Sequence, residues 1–65
     1  MQIKLNGKVV NTESRNISEL LKEYSIEVKS VVVAVNLETI KQEYWDSYKI
    51  KESDAIECLT FMGGG

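Results

Sequence analysis

An α+β roll, with a mixed sheet of four to five strands and one main helix packed on one face, is the fold class this sequence predicts, and three observations predict it. The first eleven residues read as a β-hairpin, a single amphipathic helical stripe follows, and two strand-like runs, Val31–Val35 and residues 55–62, occupy the second half. At 65 residues the chain supports one domain with one thin core, because small folds bury only about 60% of their unfolded surface. Its 43% hydrophobic and 28% charged residues suit a chain that folds rather than a disordered one.

Ile3 and Leu5 alternate with Gln2 and Lys4, and Asn6-Gly7 follows, the dipeptide that best tolerates the positive φ angles of a two-residue hairpin turn. Residues 2–11 are therefore expected to form the hairpin, with Ile3 opposite Val10 on one buried face. Next, Ile17, Leu20, Leu21 and Tyr24 fall at i, i+3, i+4 and i+7, the apolar stripe of a helix over residues 17–25, leaving Ser18, Glu19, Lys22 and Glu23 for water. Asn16 is placed to cap it, with Glu19 returning a bond to the cap's backbone as in a capping box. About two and a half turns are too few for stability alone, so the helix must pack on the sheet.

The nearly unbroken β-branched run Val31–Val35 predicts a central strand covered on both faces. Asn36 supplies a turn, and Thr39-Ile40 a short following strand. Residues 41–53 carry Tyr44, Trp45, Tyr48 and Ile50 without a clean period, as expected of a loop and a short edge strand held by aromatic anchors, with Lys49 and Lys51 on a solvated edge. Ser53-Asp54 marks a turn, and residues 55–62 alternate Ile56, Cys58 and Thr60 against Glu57, Leu59 and Phe61. Pairing the first strand with the last in parallel, with the helix crossing one face, gives the β-grasp layout: a domain over residues 1–62 and a flexible glycine tail over 63–65.

Several function classes drop out on composition. Eight basic residues against ten acidic ones, scattered among each other, give no positive stripe for nucleic acid. The longest apolar run, Val31–Val35, is far short of the roughly 20 residues of a membrane helix, and the first eight residues lack the apolar centre of a secretory signal, so a cytoplasmic protein is expected. With one cysteine and no histidine, neither a zinc cage nor an imidazole-dependent nucleophile can be assembled, so no metal, no intrinsic cofactor and no catalytic residue are expected. Cys58 itself sits at an inward position, where a buried thiol is the expectation.

Burial does not explain Gly63, Gly64 and Gly65, since glycine costs backbone entropy and contributes no apolar surface. A thread without Cβ atoms can enter a narrow channel and present the Gly65 carboxylate to a distant active site. That carboxylate is a poor electrophile until converted to an acyl-adenylate, after which sulfur can displace the nucleotide and leave a thiocarboxylate. The competing reading is a frayed tail. Leu59, Phe61 and Met62 precede the glycines and either form an exposed patch for docking a partner or are covered by a sheet edge or by the loop of Tyr44 and Trp45.

Taken in order, Met1-Gln2-Ile3 through Asn6-Gly7, the Glu-Leu-Leu core of residues 17–21, residues 33–36, Trp45, Asp54-Ala55-Ile56 and the terminal glycines resemble the sulfur carriers of bacterial thiamine biosynthesis, ubiquitin-like β-grasp proteins ending in Gly-Gly. The resemblance spans essentially the whole chain. It implies a non-enzymatic carrier whose Gly65 is adenylated with ATP by a ubiquitin-activating-like adenylyltransferase, is charged by a cysteine desulfurase relay, and delivers sulfur to thiazole synthase. Gly64 and Gly65 take the family's diglycine role. The chain departs from that pattern with Leu37 and Ser53 where glycine is common, and with an extra Gly63. Carriers for molybdopterin or other sulfur metabolites, a ubiquitin-like protein modifier and a plain interaction module are the alternatives.

Overall fold

The structure is a computed structural model and describes residues 1–60. Strands β1 (Gln2–Leu5) and β2 (Lys8–Asn11) form the hairpin, helix α1 (Ile17–Glu23) follows, and β3 (Val31–Val35), β4 (Glu38–Ile40) and β5 (Ala55–Thr60) complete one sheet of order β2-β1-β5-β3-β4. β1 and β5 pair in parallel and every other neighbour is antiparallel, giving the ubiquitin-like β-grasp fold expected from the sequence.

The hairpin has the expected register, with Ile3 opposite Val10. Asn6 and Gly7 lie at φ 51° and 86°, the two positive values that a right-twisted hairpin turn requires. The β3–β4 turn repeats this geometry with Asn36 at 51° and Leu37 at 73°. Its second position therefore holds a side chain in the left-handed region where glycine carries no steric cost.

Helix α1 is shorter than its apolar stripe suggested. Ser25 enters the left-handed region at φ 55°, and its N–H donates to the Lys22 carbonyl at 3.1 Å while that of Ile26 donates to Leu21 at 2.8 Å. This crossed pair of bonds closes the helix at Tyr24, which is left 38% exposed, while Ile17, Leu20 and Leu21 are fully buried. At the other end Asn16 Oδ1 accepts from the Glu19 N–H at 2.8 Å, as expected of a cap. The returning bond differs from a capping box: Glu19 Oε1 accepts from the Arg15 N–H at 2.7 Å, one residue before the cap.

Val31, Val33 and Val35 are buried on the helix side of β3, but Val32 is 36% exposed on the other. The valine run is thus covered on one face, because the single α-helix among the described residues supplies a single covering layer. The middle position of the sheet belongs to β5, with β3 beside it. Between residues 41 and 53 the chain forms a short 3-10 turn, Gln42–Tyr44, and one isolated bridge between Lys49 and Asn16 in place of an edge strand; a second 3-10 turn, Val28–Ser30, leads into β3.

The core joins Ile3, the helix residues, the inward valines, Trp45, Ile50, Ile56 and Cys58. Each fully buried aliphatic side chain among them stabilises the fold by roughly 1.5–3 kcal/mol relative to exposure. Trp45 is 4% exposed and its indole N–H donates to the Ile40 carbonyl at 2.9 Å, so the aromatic anchor is buried with its polar atom satisfied.

Candidate functional site

β5 is the element that carries the chain toward the glycines, and it is held on both sides. Lys4 N–H donates to the Asp54 carbonyl and Asn6 N–H to that of Ile56, each at 2.9 Å, while on the opposite edge Asn36 N–H donates to Ala55 at 2.7 Å. Side chains continue this work where backbone is lacking. Asn36 Oδ1 accepts from Ala55 N–H at 2.9 Å, Asn36 Nδ2 donates to Asp54 Oδ1 at 3.1 Å, and Asp54 Oδ2 accepts from Lys51 N–H at 2.8 Å. The start of β5 is thereby locked to the β3–β4 turn.

Farther along, Cys58 N–H donates to Asn6 Oδ1 at 2.8 Å, so a side chain stands in for the β1 backbone after it has turned away. Ile56 and Cys58 point into the core, and Glu57 and Leu59 point to the open face. Burial pushes the Cys58 thiol up from its ordinary value, which disfavours the thiolate that nucleophilic chemistry needs. No group of three or more His, Cys, Asp or Glu side chains among the described residues is arranged to hold a metal.

Leu59 is 66% exposed. Across the open sheet face its register partner is Val32, a residue that sequence reasoning assigned to a doubly covered strand. The run Val-Val-Val-Ala-Val carries no alternation that could have marked Val32 as the exposed position. Asn6 is the second residue the sequence reading undervalued, since a turn assignment accounts for its φ and not for its side-chain bond to β5. Of the other residues singled out from sequence, Phe61, Met62, Gly63, Gly64 and Gly65 lie outside the described residues.

Comparison with known proteins places this architecture. The pattern of the ThiS family matches residues 2–65. A sulfur carrier protein ThiS from Bacillus subtilis is 37% identical over 65 residues, covering 97% of this chain and 98% of that one. A thiazole synthase from Paramagnetospirillum magneticum is 29% identical over 66 aligned residues that span all of this chain and 20% of that protein. The crystal structure of a thiamine biosynthesis protein, ThiS, from Geobacter metallireducens superposes with a TM-score of 0.86 at 35% identity, each chain covered completely. No helix among the described residues is long and apolar enough to cross a membrane.

Proposed function

The chain belongs to the ThiS family, and from that premise we propose that it carries sulfur for thiamine thiazole biosynthesis on the carboxylate of Gly65. The observation that carries this reading is the mounting of β5, which is paired to β1 and β3 and locked by Asn36, Asp54 and Asn6, so that the chain leaves Thr60 from a fixed base. Five residues follow Thr60.

The chemistry is divided between proteins. An adenylyltransferase of the ubiquitin-activating type joins the Gly65 carboxylate to the α-phosphate of ATP and releases pyrophosphate. A persulfide of a cysteine desulfurase relay attacks the acyl carbon and AMP leaves, and a thiol then reduces the S–S bond of the resulting acyl disulfide to release the Gly65 thiocarboxylate. Thiazole synthase is the acceptor, a role supported by the thiazole synthase that contains a stretch similar to this chain. The chain contributes a handle and a docking surface: Gly63 and Gly64 form the narrow thread, and Leu59, Phe61 and Met62, joined by Val32, form the apolar contact. It needs no catalytic residue and no bound cofactor, and a cytoplasmic site of action follows from the supply of ATP.

Intact mass after incubation with ATP, the adenylyltransferase and a sulfide source tests the proposal. A gain equal to exchanging one oxygen for sulfur is expected with the full chain and absent when Gly65 is deleted. A chain lacking Gly65 that still gains this mass would sink the assignment of Gly65, and conjugation to lysines in place of sulfur exchange would move the chain to the protein-modifier class.

A further inference from the structure

β5 outruns its neighbour β1. Their parallel pairing ends at Leu5 opposite Ile56, because Asn6 and Gly7 turn the chain away into β2, whereas on the other edge β5 stays paired with β3 as far as Thr60 opposite Val31. The bonds already described assign each peptide group to an edge. Ala55 faces β3 through its carbonyl, and Ile56 and Cys58 face β1 through a carbonyl and an N–H respectively. With a period of two along the strand, the Cys58 carbonyl and the Thr60 N–H face the β1 side as well. Neither group lies opposite a β1 residue, because the β1–β5 register stops at Ile56.

These two groups form the half-ladder that a parallel strand reads. In parallel pairing one incoming residue donates its N–H to the carbonyl of residue i−1 and accepts from the N–H of residue i+1. Cys58 and Thr60 stand in that relation about Leu59. An antiparallel strand can use the same two groups through a wide pair, so the parallel orientation follows instead from the line of β1, which is parallel to β5 and which the incoming segment continues.

We propose that the enzyme accepting sulfur from Gly65 adds one extended segment to β5 at this notch, parallel to β5, in the place that β1 vacates at Asn6. The inference rests on the carrier reading and deepens it: the seam runs along the same strand that leads to Gly65, so main-chain bonding sets where the thread enters the partner. Val32 and Leu59 project from the sheet face, while the seam lies in the sheet plane. Apolar docking and strand addition thus use different atoms and can be tested separately.

Residue-resolved amide hydrogen exchange on the full chain, free and saturated with the thiazole synthase of the same organism, is the test. In the free chain the Thr60 amide is expected to exchange rapidly and that of Leu59, which faces β3, slowly. Complex formation is expected to slow Thr60 by at least tenfold. A complex in which Thr60 exchanges as in the free chain overturns strand addition and leaves the carrier reading, judged by intact mass, standing. Absence of any complex overturns both this inference and the choice of acceptor. As a second arm, Thr60→Pro removes the donor at an edge position where proline is accommodated and is expected to weaken binding about tenfold with the melting curve little changed, whereas Thr60→Ala binds as the parent does. Unaltered affinity of a folded Thr60→Pro chain would overturn the proposal, and if that variant does not fold, the exchange measurement on the parent chain decides.

Discussion

Replacing Leu37 with glycine is expected to stabilise this protein. Leu37 holds φ at 73°, and its side chain is 92% exposed, so it contributes almost no burial to set against the strain. Left-handed backbone costs an ordinary residue about 1–2 kcal/mol, and glycine is free of that cost. Glycine in turn gives the unfolded chain more freedom, which takes back about 0.4–1 kcal/mol. The net expectation is a gain of about 0–1.6 kcal/mol, centred on about 0.8 kcal/mol, or about 3–6 °C in the melting temperature of a domain this size. Thermal unfolding followed by circular dichroism reads it directly. Leu37→Ala is the control, because it removes the exposed side chain but keeps the Cβ; it should stay within about 0.5 kcal/mol of the parent. The reasoning is refuted if Leu37→Gly melts below the parent, or if Leu37→Ala gains as much, since the strain would then not reside in the Cβ. Sulfur loading should be unchanged in both, because the β3–β4 turn flanks the start of β5 and Thr60 is at its far end.

Asn6→Ala should cost about 2–3 kcal/mol in urea unfolding, the sum of a left-handed non-glycine turn residue and the lost acceptor for Cys58 N–H; a loss under about 1 kcal/mol would mean that water or a neighbour replaces Oδ1. Glu23 accepts hydrogen bonds from the hydroxyls of Thr12 at 2.5 Å and Ser14 at 2.7 Å, and these two bonds, Thr12 first, hold its carboxyl below the ordinary glutamate range. Because the folded value is the depressed one, its contribution is present above the ordinary range and disappears as pH falls through the folded value. Glu23→Gln should therefore be less stable at neutral pH, by no more than about 1 kcal/mol because the group is exposed, with the gap closing in acid; a gap that widens on acidification contradicts the assignment. Cys58→Ala should load sulfur as the parent does, and a folded variant that fails to load would return the thiol to the chemistry.

Local rules were enough where one short stretch decides the outcome. Asn6-Gly7 specifies a hairpin turn by itself, and the Ile17, Leu20, Leu21 spacing specifies a helix face. The misreadings arose where a residue adopts a backbone state its type rarely signals, where the deciding partner lies far along the chain, or where an element is too short to show a period. Tyr24 continues the helical stripe in sequence, yet the chain leaves the helix because Ser25 adopts a positive φ and Ile26 bonds back to Leu21, a closure usually signalled by glycine. Val32 resembles its neighbours in every local property; its exposure depends on the one α-helix among the described residues covering one sheet face. The two 3-10 turns occupy three residues each, too few to show a period.

The residues through which the chain resembles its family turn out to be a set of contacts. Asn36 and the Asp54-Ala55 pair, 18 and 19 residues apart in sequence, bond to each other, and Asn6 bonds to Cys58 across 52 residues. Both asparagines sit at positive φ in hairpin turns, where the side-chain amide can reach a neighbouring strand that the main chain is leaving. Each therefore does two things at once: it tolerates the left-handed turn and it supplies the bond that keeps β5 in place. Among the described strands β5 is the one paired to both β1 and β3, and it is the strand that leads to Gly65. In such an arrangement the turn asparagines affect function through where β5 points, so Asn6→Ala should lower the rate of sulfur loading even under conditions where the variant is fully folded. Loading at the parent rate by folded Asn6→Ala would show that the launch of the tail is set by β3 alone.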